Sequence, residues 1–187
     1  ALKNVLVKQE TVCGIPFTVQ HNPARMVSTR AKVDPQSISD RPCFLCEKNQ
    51  PEEQRTRCIG YHFNLCVNPY PILPYHITIP HTEHHEQVLP LDFCESINLI
   101  FSELPSEYAL FYNGALCGAS APDHLHFQGV PMENIPLVNF YRQPDTEKTL
   151  LLSNNKVTVD ETHKKLLINS SYLYYINHYA CPLFSIE

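Results

Sequence analysis

The run Gly118-Ala119-Ser120-Ala121-Pro122-Asp123-His124-Leu125-His126-Phe127-Gln128 carries the densest set of groups able to do chemistry. On an extended strand alternate side chains share a face, so His124, His126 and Gln128 point to one side while Leu125 and Phe127 point into a core. The small residues ahead of them permit a tight loop whose backbone N–H groups come close to an anion. A neutral imidazole beside such a loop is placed to attack phosphorus and form a covalent intermediate, and a Gln amide can donate to a phosphate oxygen without adding a proton. An isolated His-x-His more often marks two histidines on a half-exposed strand, so the chemistry depends on what surrounds it.

A second set is the knuckle Arg41-Pro42-Cys43-Phe44-Leu45-Cys46. Its two thiolates can reach one tetrahedral zinc at about 2.3 Å each, and two further ligands are needed. His81, His84 and His85 are available, with Cys58 and Cys66 as fallback ligands. The plainer reading is a loop with two reduced cysteines and a group of surface histidines. The eight cysteines contain only this one close pair, in a chain whose core is too large to need a disulfide framework. The others read as small buried apolar groups.

Elements must position these residues. Ile15 to Gln20, Phe63 to Asn68 and His76 to Ile79 read as strands, the last reached through Pro69, Pro71 and Pro74, which impose an extended connection. From Leu91 to Leu104 the set Phe93, Ile97, Ile100, Phe101 and Leu104 follows the spacing of one buried helical face. Tyr108 to Asn113 and Leu125 to Val130 are strands around the loop Gly114 to Asp123. This order predicts an α+β domain, an antiparallel sheet with a helix on one face. It spans residues 1–136. The proline-punctuated stretch from Pro131 to Lys148 reads as a linker, and residues 137–187 as that linker and a C-terminal segment that begins a second half. There Lys164 to Ile168, Tyr172 to Ile176 and the strand-like run Leu183 to Ile186 are apolar and carry no motif.

With 187 residues, 43% of them hydrophobic, the chain can bury a core. A formal charge of −5 leaves no broad basic face and argues against nucleic-acid binding. No stretch approaches the roughly 20 apolar residues of a membrane span, and the first residues lack the apolar run of a signal peptide, so the expectation is a cytoplasmic protein with no membrane partner.

The His-x-His-x-Gln motif behind Gly-Ala-Ser resembles the active-site signature of the histidine-triad superfamily, in its transferase branch. The form His-Leu-His-Phe-Gln is most similar to its GDP-hexose phosphorylases. A second match is Val67 to Pro80, which resembles the strand, turn and strand leading to the active-site helix, with Asn68 where the superfamily places a ribose-contacting residue. Phe17 to Arg25, followed by Arg30, resembles the segment by which GDP-hexose phosphorylases approach substrate. The resemblance covers residues 15–130 and implies a histidine-triad-like fold. It implies His126 as the nucleophile, with Gln128 and Ser120 on the phosphoryl group, although His124 stands four residues after Ser120 where uridylyltransferases have three. Zinc-bearing relatives complete the Cys43–Cys46 pair with the motif's first histidine, His124, and a histidine past the third strand. Counting from His76 along the family pattern selects His84. A closed four-ligand set makes the zinc structural.

Arg25 and Arg30 could clamp a diphosphate, and Asn113 could bond a phosphate or cap its turn. The function implied is nucleotidyl transfer at the α-phosphorus of a nucleotide sugar such as GDP-glucose, or of a dinucleoside polyphosphate, with phosphate or a sugar phosphate as acceptor. A nucleotide hydrolase and a non-catalytic, zinc-stabilised nucleotide-binding module are the alternatives, and pairing into a homodimer is a family habit.

Overall fold

A computed structural model describes the protein over residues 2–12, 14–30, 32–89, 93–160, 165–178 and 183–186. The chain divides into two units, the first essentially residues up to Ile135 and the second from Pro136 onward.

In the first unit, β1 (Leu6–Val12) and β2 (Ile15–His21) form a two-stranded sheet. Two short helices follow, α1 (Met26–Thr29) and α2 (Pro35–Ser39), the latter capped by Asp34, whose side chain accepts from the Ser37 N–H. The main sheet has five antiparallel strands in the order β3-β4-β5-β7-β6: β3 (Thr56–Ile59), β4 (Phe63–Val67), β5 (Ile77–Pro80), β6 (Tyr108–Phe111) and β7 (His126–Pro131). Between β5 and β6 lies α3 (Phe93–Glu103).

Register decides which face of the sheet does what. Ile79 pairs with Phe127 and, with Ile59, Phe63 and Leu125, fills the core against Ile100 and Leu104 of the helix segment. Thr78 pairs with Gln128 on the opposite face. One face is therefore packed by α3 and the other is free to form a site, the α+β arrangement expected from the element order.

Several local expectations need correction. Phe101, placed on the buried helical face, is 46% exposed, because 100° beyond Ile100 carries it off the stripe that Ile97, Ile100 and Leu104 define. In β4 it is Cys66 that is buried, while Val67 is exposed. Leu91, at the expected helix start, lies outside the described residues. Strands β1 and β3 were not signalled by alternation.

In the second unit, the stretch expected as a linker holds α4 (Pro136–Tyr141), with Pro136 at the first helical position, where a missing N–H costs nothing. Its three-stranded sheet has the order β10-β9-β8: β8 (Lys148–Asp160), β9 (Lys165–Ile176) and β10 (Phe184–Ile186). Lys164, one end of an apolar run singled out above, lies outside the described residues. Among the described residues no helix is long and apolar enough to cross a membrane.

Candidate active site and metal centre

Strand β7 delivers His126 and Gln128 to the sheet face opposite α3. His126 is buried, and its Nδ1–H donates to the His124 carbonyl at 2.8 Å. That bond fixes the tautomer and leaves the Nε2 lone pair as the nucleophilic end of the ring. Burial pushes the His126 pKa below the ordinary histidine value, so the ring is neutral near pH 7.

Gln128 is oriented in the same manner, by a chain of donors. The Ile72 N–H donates to His76 Nδ1 at 3.1 Å, which leaves His76 Nε2–H to donate to Gln128 Oε1 at 2.9 Å. The amide nitrogen of Gln128 is then the end left for an anion in the cavity that it lines together with His126. His76 is buried and its pKa is lowered, first by burial and also by the charge of Arg25, so it too is neutral.

Around the same cavity stand Arg25, Asn68, Asn113 and Ser120. Arg25 arrives there on a turn built for it. Asn22 accepts from the Ala24 N–H, Pro23 starts the turn and Arg25 ends it. The Asn68 amide donates to Thr78 Oγ1 at 2.9 Å and its carbonyl accepts from the Tyr70 N–H at 2.8 Å, so it shapes the cavity wall as an Asx turn. Gly118 has φ +86°, a conformation that needs glycine, and open space where a side chain would stand. Arg30 is exposed at the C-terminal end of α1 and does not join Arg25 in the cavity lining.

Cys43, Cys46, His84 and His124 converge, with one ligand atom of each lying within 4.8 Å of all the others. Cys43 Sγ is 3.4 Å from His124 Nδ1, and Cys46 Sγ is 3.3 Å from His84 Nδ1 and 3.6 Å from His124 Nδ1. Tetrahedral bonds of about 2.3 Å to sulfur and about 2.0–2.1 Å to nitrogen imply S···N separations of about 3.6 Å, so these residues fit a metal ion. His124 Nε2–H donates to the His81 carbonyl at 2.8 Å, which turns an Nδ1 lone pair toward the thiols. Burial pushes the Cys43 thiol up to about 11, so a thiolate there needs a neighbouring cation. Of the three histidines available after β5, His84 joins the cluster, while His81 accepts from the Glu83 N–H and packs edge-on against His85.

Sequence reasoning missed three residues that hold these parts together. Arg41 donates through Nη2 to the Ser120 carbonyl at 3.1 Å and to Asp123 at 3.3 Å, tying the knuckle to the loop ahead of β7. His76 enters the sequence reading as a strand residue and as the origin of the count to His84, with no role of its own, although a histidine in an apolar strand reached through prolines is a usable signal. Gln87, buried beside His126, had none.

The buried histidines carry a pH consequence. His76, His124 and His126 all have lowered pKa values, chiefly from burial. The unfolded chain therefore binds protons below about pH 6.5 that the folded protein refuses, and stability falls as pH drops through that value. Each such histidine contributes a limiting slope of about 1.4 kcal/mol per pH unit. His76 stands apart from the metal cluster, so His76→Gln should remove about one group's share of the slope. Urea unfolding at pH 7.5, 6.5 and 5.5 reads this out, and equal slopes in parent and variant would refute it.

Residues 1–131 match the family model described as a domain of unknown function, DUF4922. No curated protein sequence matches the chain. Among solved structures, the crystal structure of yeast Ap4A phosphorylase Apa2 is similar over 98% of this chain and 70% of that chain, at 14% identity and a TM-score of 0.42. A likeness that distant assigns neither a residue nor an activity. The family match, in contrast, spans well over half of the 187 residues, and the chain belongs to the DUF4922 family.

Proposed function

We propose that this protein is a nucleotidyltransferase of histidine-triad type that works at the α-phosphorus of a nucleotide sugar or dinucleoside polyphosphate. The observation that carries this reading is the pairing, in one cavity, of a buried neutral His126 with its Nε2 lone pair available and a Gln128 amide nitrogen aimed by His76. The Nε2 lone pair attacks the phosphorus, the bond from phosphorus to the leaving phosphate oxygen breaks, and that oxygen keeps the electron pair. The imidazolium so formed is stabilised by its Nδ1–H bond to the His124 carbonyl. An incoming phosphate or sugar phosphate then attacks, and the N–P bond breaks with its electrons returning to Nε2. Gln128, Arg25 and the loop at Ser120 supply donors for the phosphoryl oxygens.

An apolar hollow lined by Phe44, Leu45, Pro69 and Tyr70 adjoins the cavity and suits a planar base. Cys43, Cys46, His84 and His124 would hold a zinc ion that orders the knuckle and the start of β7. Four protein ligands leave no open position on it, so the ion is structural. The free thiols, among them Cys58, Cys94 and Cys117, suit the reducing cytoplasm.

The test is incubation with a panel of nucleotide sugars and dinucleoside polyphosphates, with and without phosphate, followed by mass analysis of products and protein. Expected is a gain of one nucleoside monophosphate on the protein, discharged by phosphate. Discharge by water alone would make it a hydrolase, and binding of a nucleotide with no adduct across the panel would make it a binding module.

A further inference from the structure

Strands β6 and β7 pair from Tyr108↔Pro131 to Phe111↔Gln128, and continuing that register would set Asn113 opposite His126. The ladder stops short, because the chain after Phe111 leaves the sheet for the loop that walls the cavity. The Asn113 carbonyl and both peptide groups of His126 then face each other across a splayed gap, and backbone groups buried without partners are costly.

Gln87 fills that gap. Its Oε1 accepts from the His126 N–H at 2.7 Å, and its Nε2 donates to the Asn113 carbonyl at 2.8 Å and the His126 carbonyl at 3.1 Å. The side-chain amide thus stands in for a strand peptide, with donor and acceptor both used. Its backbone is tied as well: its N–H donates to the Pro122 carbonyl at 3.1 Å, and its carbonyl accepts from the Tyr112 hydroxyl at 2.7 Å. One residue, only 2% exposed, therefore holds the entrance of the active-site loop at Asn113, its exit at Pro122, and the peptide that carries His126.

We propose that Gln87 is a positioning residue for nucleotidyl transfer, a clamp that fixes the His126 strand against both ends of the phosphate-binding loop. The proposal rests on the transferase reading above. Gln87 touches no substrate. It acts by keeping the nucleophile's Nε2 and the loop's donors at a distance where both meet one phosphorus, while the splay that it bridges is what opens the cavity. Loosening such an arrangement is felt in the chemical step, where a displacement on the order of 1 Å costs roughly a hundredfold.

Gln87→Met keeps the length of the side chain and removes all three of its hydrogen bonds. Single-turnover formation of the nucleotidyl-His126 adduct should slow roughly tenfold to a hundredfold at saturating nucleotide, with nucleotide affinity little changed. Amide hydrogen exchange at His126 should quicken in the same variant. If the methionine variant does not fold, Gln87→Glu, which keeps the acceptor for the His126 N–H but replaces the donor to the Asn113 and His126 carbonyls with an oxygen, carries the same measurements with the same expected loss. An unchanged adduct rate, or a rate and an affinity that fall together, would overturn the proposal, since either outcome leaves Gln87 a structural residue only. If the parent protein forms no adduct, the transferase reading fails. Exchange then decides the clamp by itself: quickening at His126 supports it, and unchanged exchange sinks it.

Discussion

His126→Ala should abolish both turnover and the covalent nucleotide adduct, whereas Gln128→Ala should slow the reaction while leaving the adduct detectable. The two side chains sit two residues apart on one strand face and line one cavity, yet the proposed mechanism gives them different work. In that mechanism His126 supplies the electron pair that forms the bond to phosphorus, and its histidine neighbours do not replace it: His124 Nδ1 is directed at the thiols, and His76 has its two nitrogens committed to Ile72 and Gln128. Gln128 supplies one donor among several. Removing a single preorganised donor of this kind costs about 2.7–4 kcal/mol, or roughly a hundredfold to a thousandfold in rate. His126→Gly should recover part of its activity with added imidazole, because the glycine leaves room for the ring that it lacks. Steady-state turnover and intact-protein mass on the three variants read out the contrast. An adduct mapped to another residue, or full activity in His126→Ala, would overturn the mechanism.

The parts of this site that could be read from the sequence are those set by strand periodicity. Leu125 and Phe127 enter the core and His126 and Gln128 the cavity because a strand alternates, and no knowledge of neighbours is needed for that inference. The Cys-x-x-Cys knuckle was legible for a similar reason, since its two thiols are local to one turn. What could not be read comes from pairs far apart in the chain. Gln87 meets Asn113 and His126 because the order β5-β7-β6 brings their segments together, and Arg41 meets Ser120 and Asp123 across about 80 residues of sequence. Neither residue differs in type or spacing from an ordinary surface polar residue. Strand β8 was invisible for a different reason: Ser153, Asn154, Asn155 and Lys156 interrupt its apolar run, so no period of two extends along its length.

Protein purified without added metal should contain about one zinc per chain, and Cys43→Ser should lose it together with much of the domain's thermal stability. The expected loss is large because of where the cluster sits. His124 is fully buried one residue before Leu125 of the core and two before His126, and Cys43 is buried with Leu45 and Ala121 in a small core of its own. Without a cation the knuckle is fastened to the loop ahead of β7 by the Arg41 bonds, this small apolar patch and weak thiol contacts with His124. Structural zinc sites contribute apparent binding free energies of roughly 10–16 kcal/mol in isolated fingers, and here the main sheet has its own core, so the knuckle and loop should melt ahead of it. His84, with half its side chain exposed, is the ligand whose loss should be mildest, since water can enter where it stood. His84→Ala should therefore bind zinc more weakly yet still fold. Acidification should act in the same direction as chelation: protons compete for the two histidines and two thiolates, so zinc is held at neutral pH and released as pH falls. Elemental analysis, thermal melts with and without chelator, and anomalous scattering from crystals test this together. A zinc-free parent protein, or a metal peak on residues other than these four, would sink the assignment while leaving His126 and Gln128 where they are.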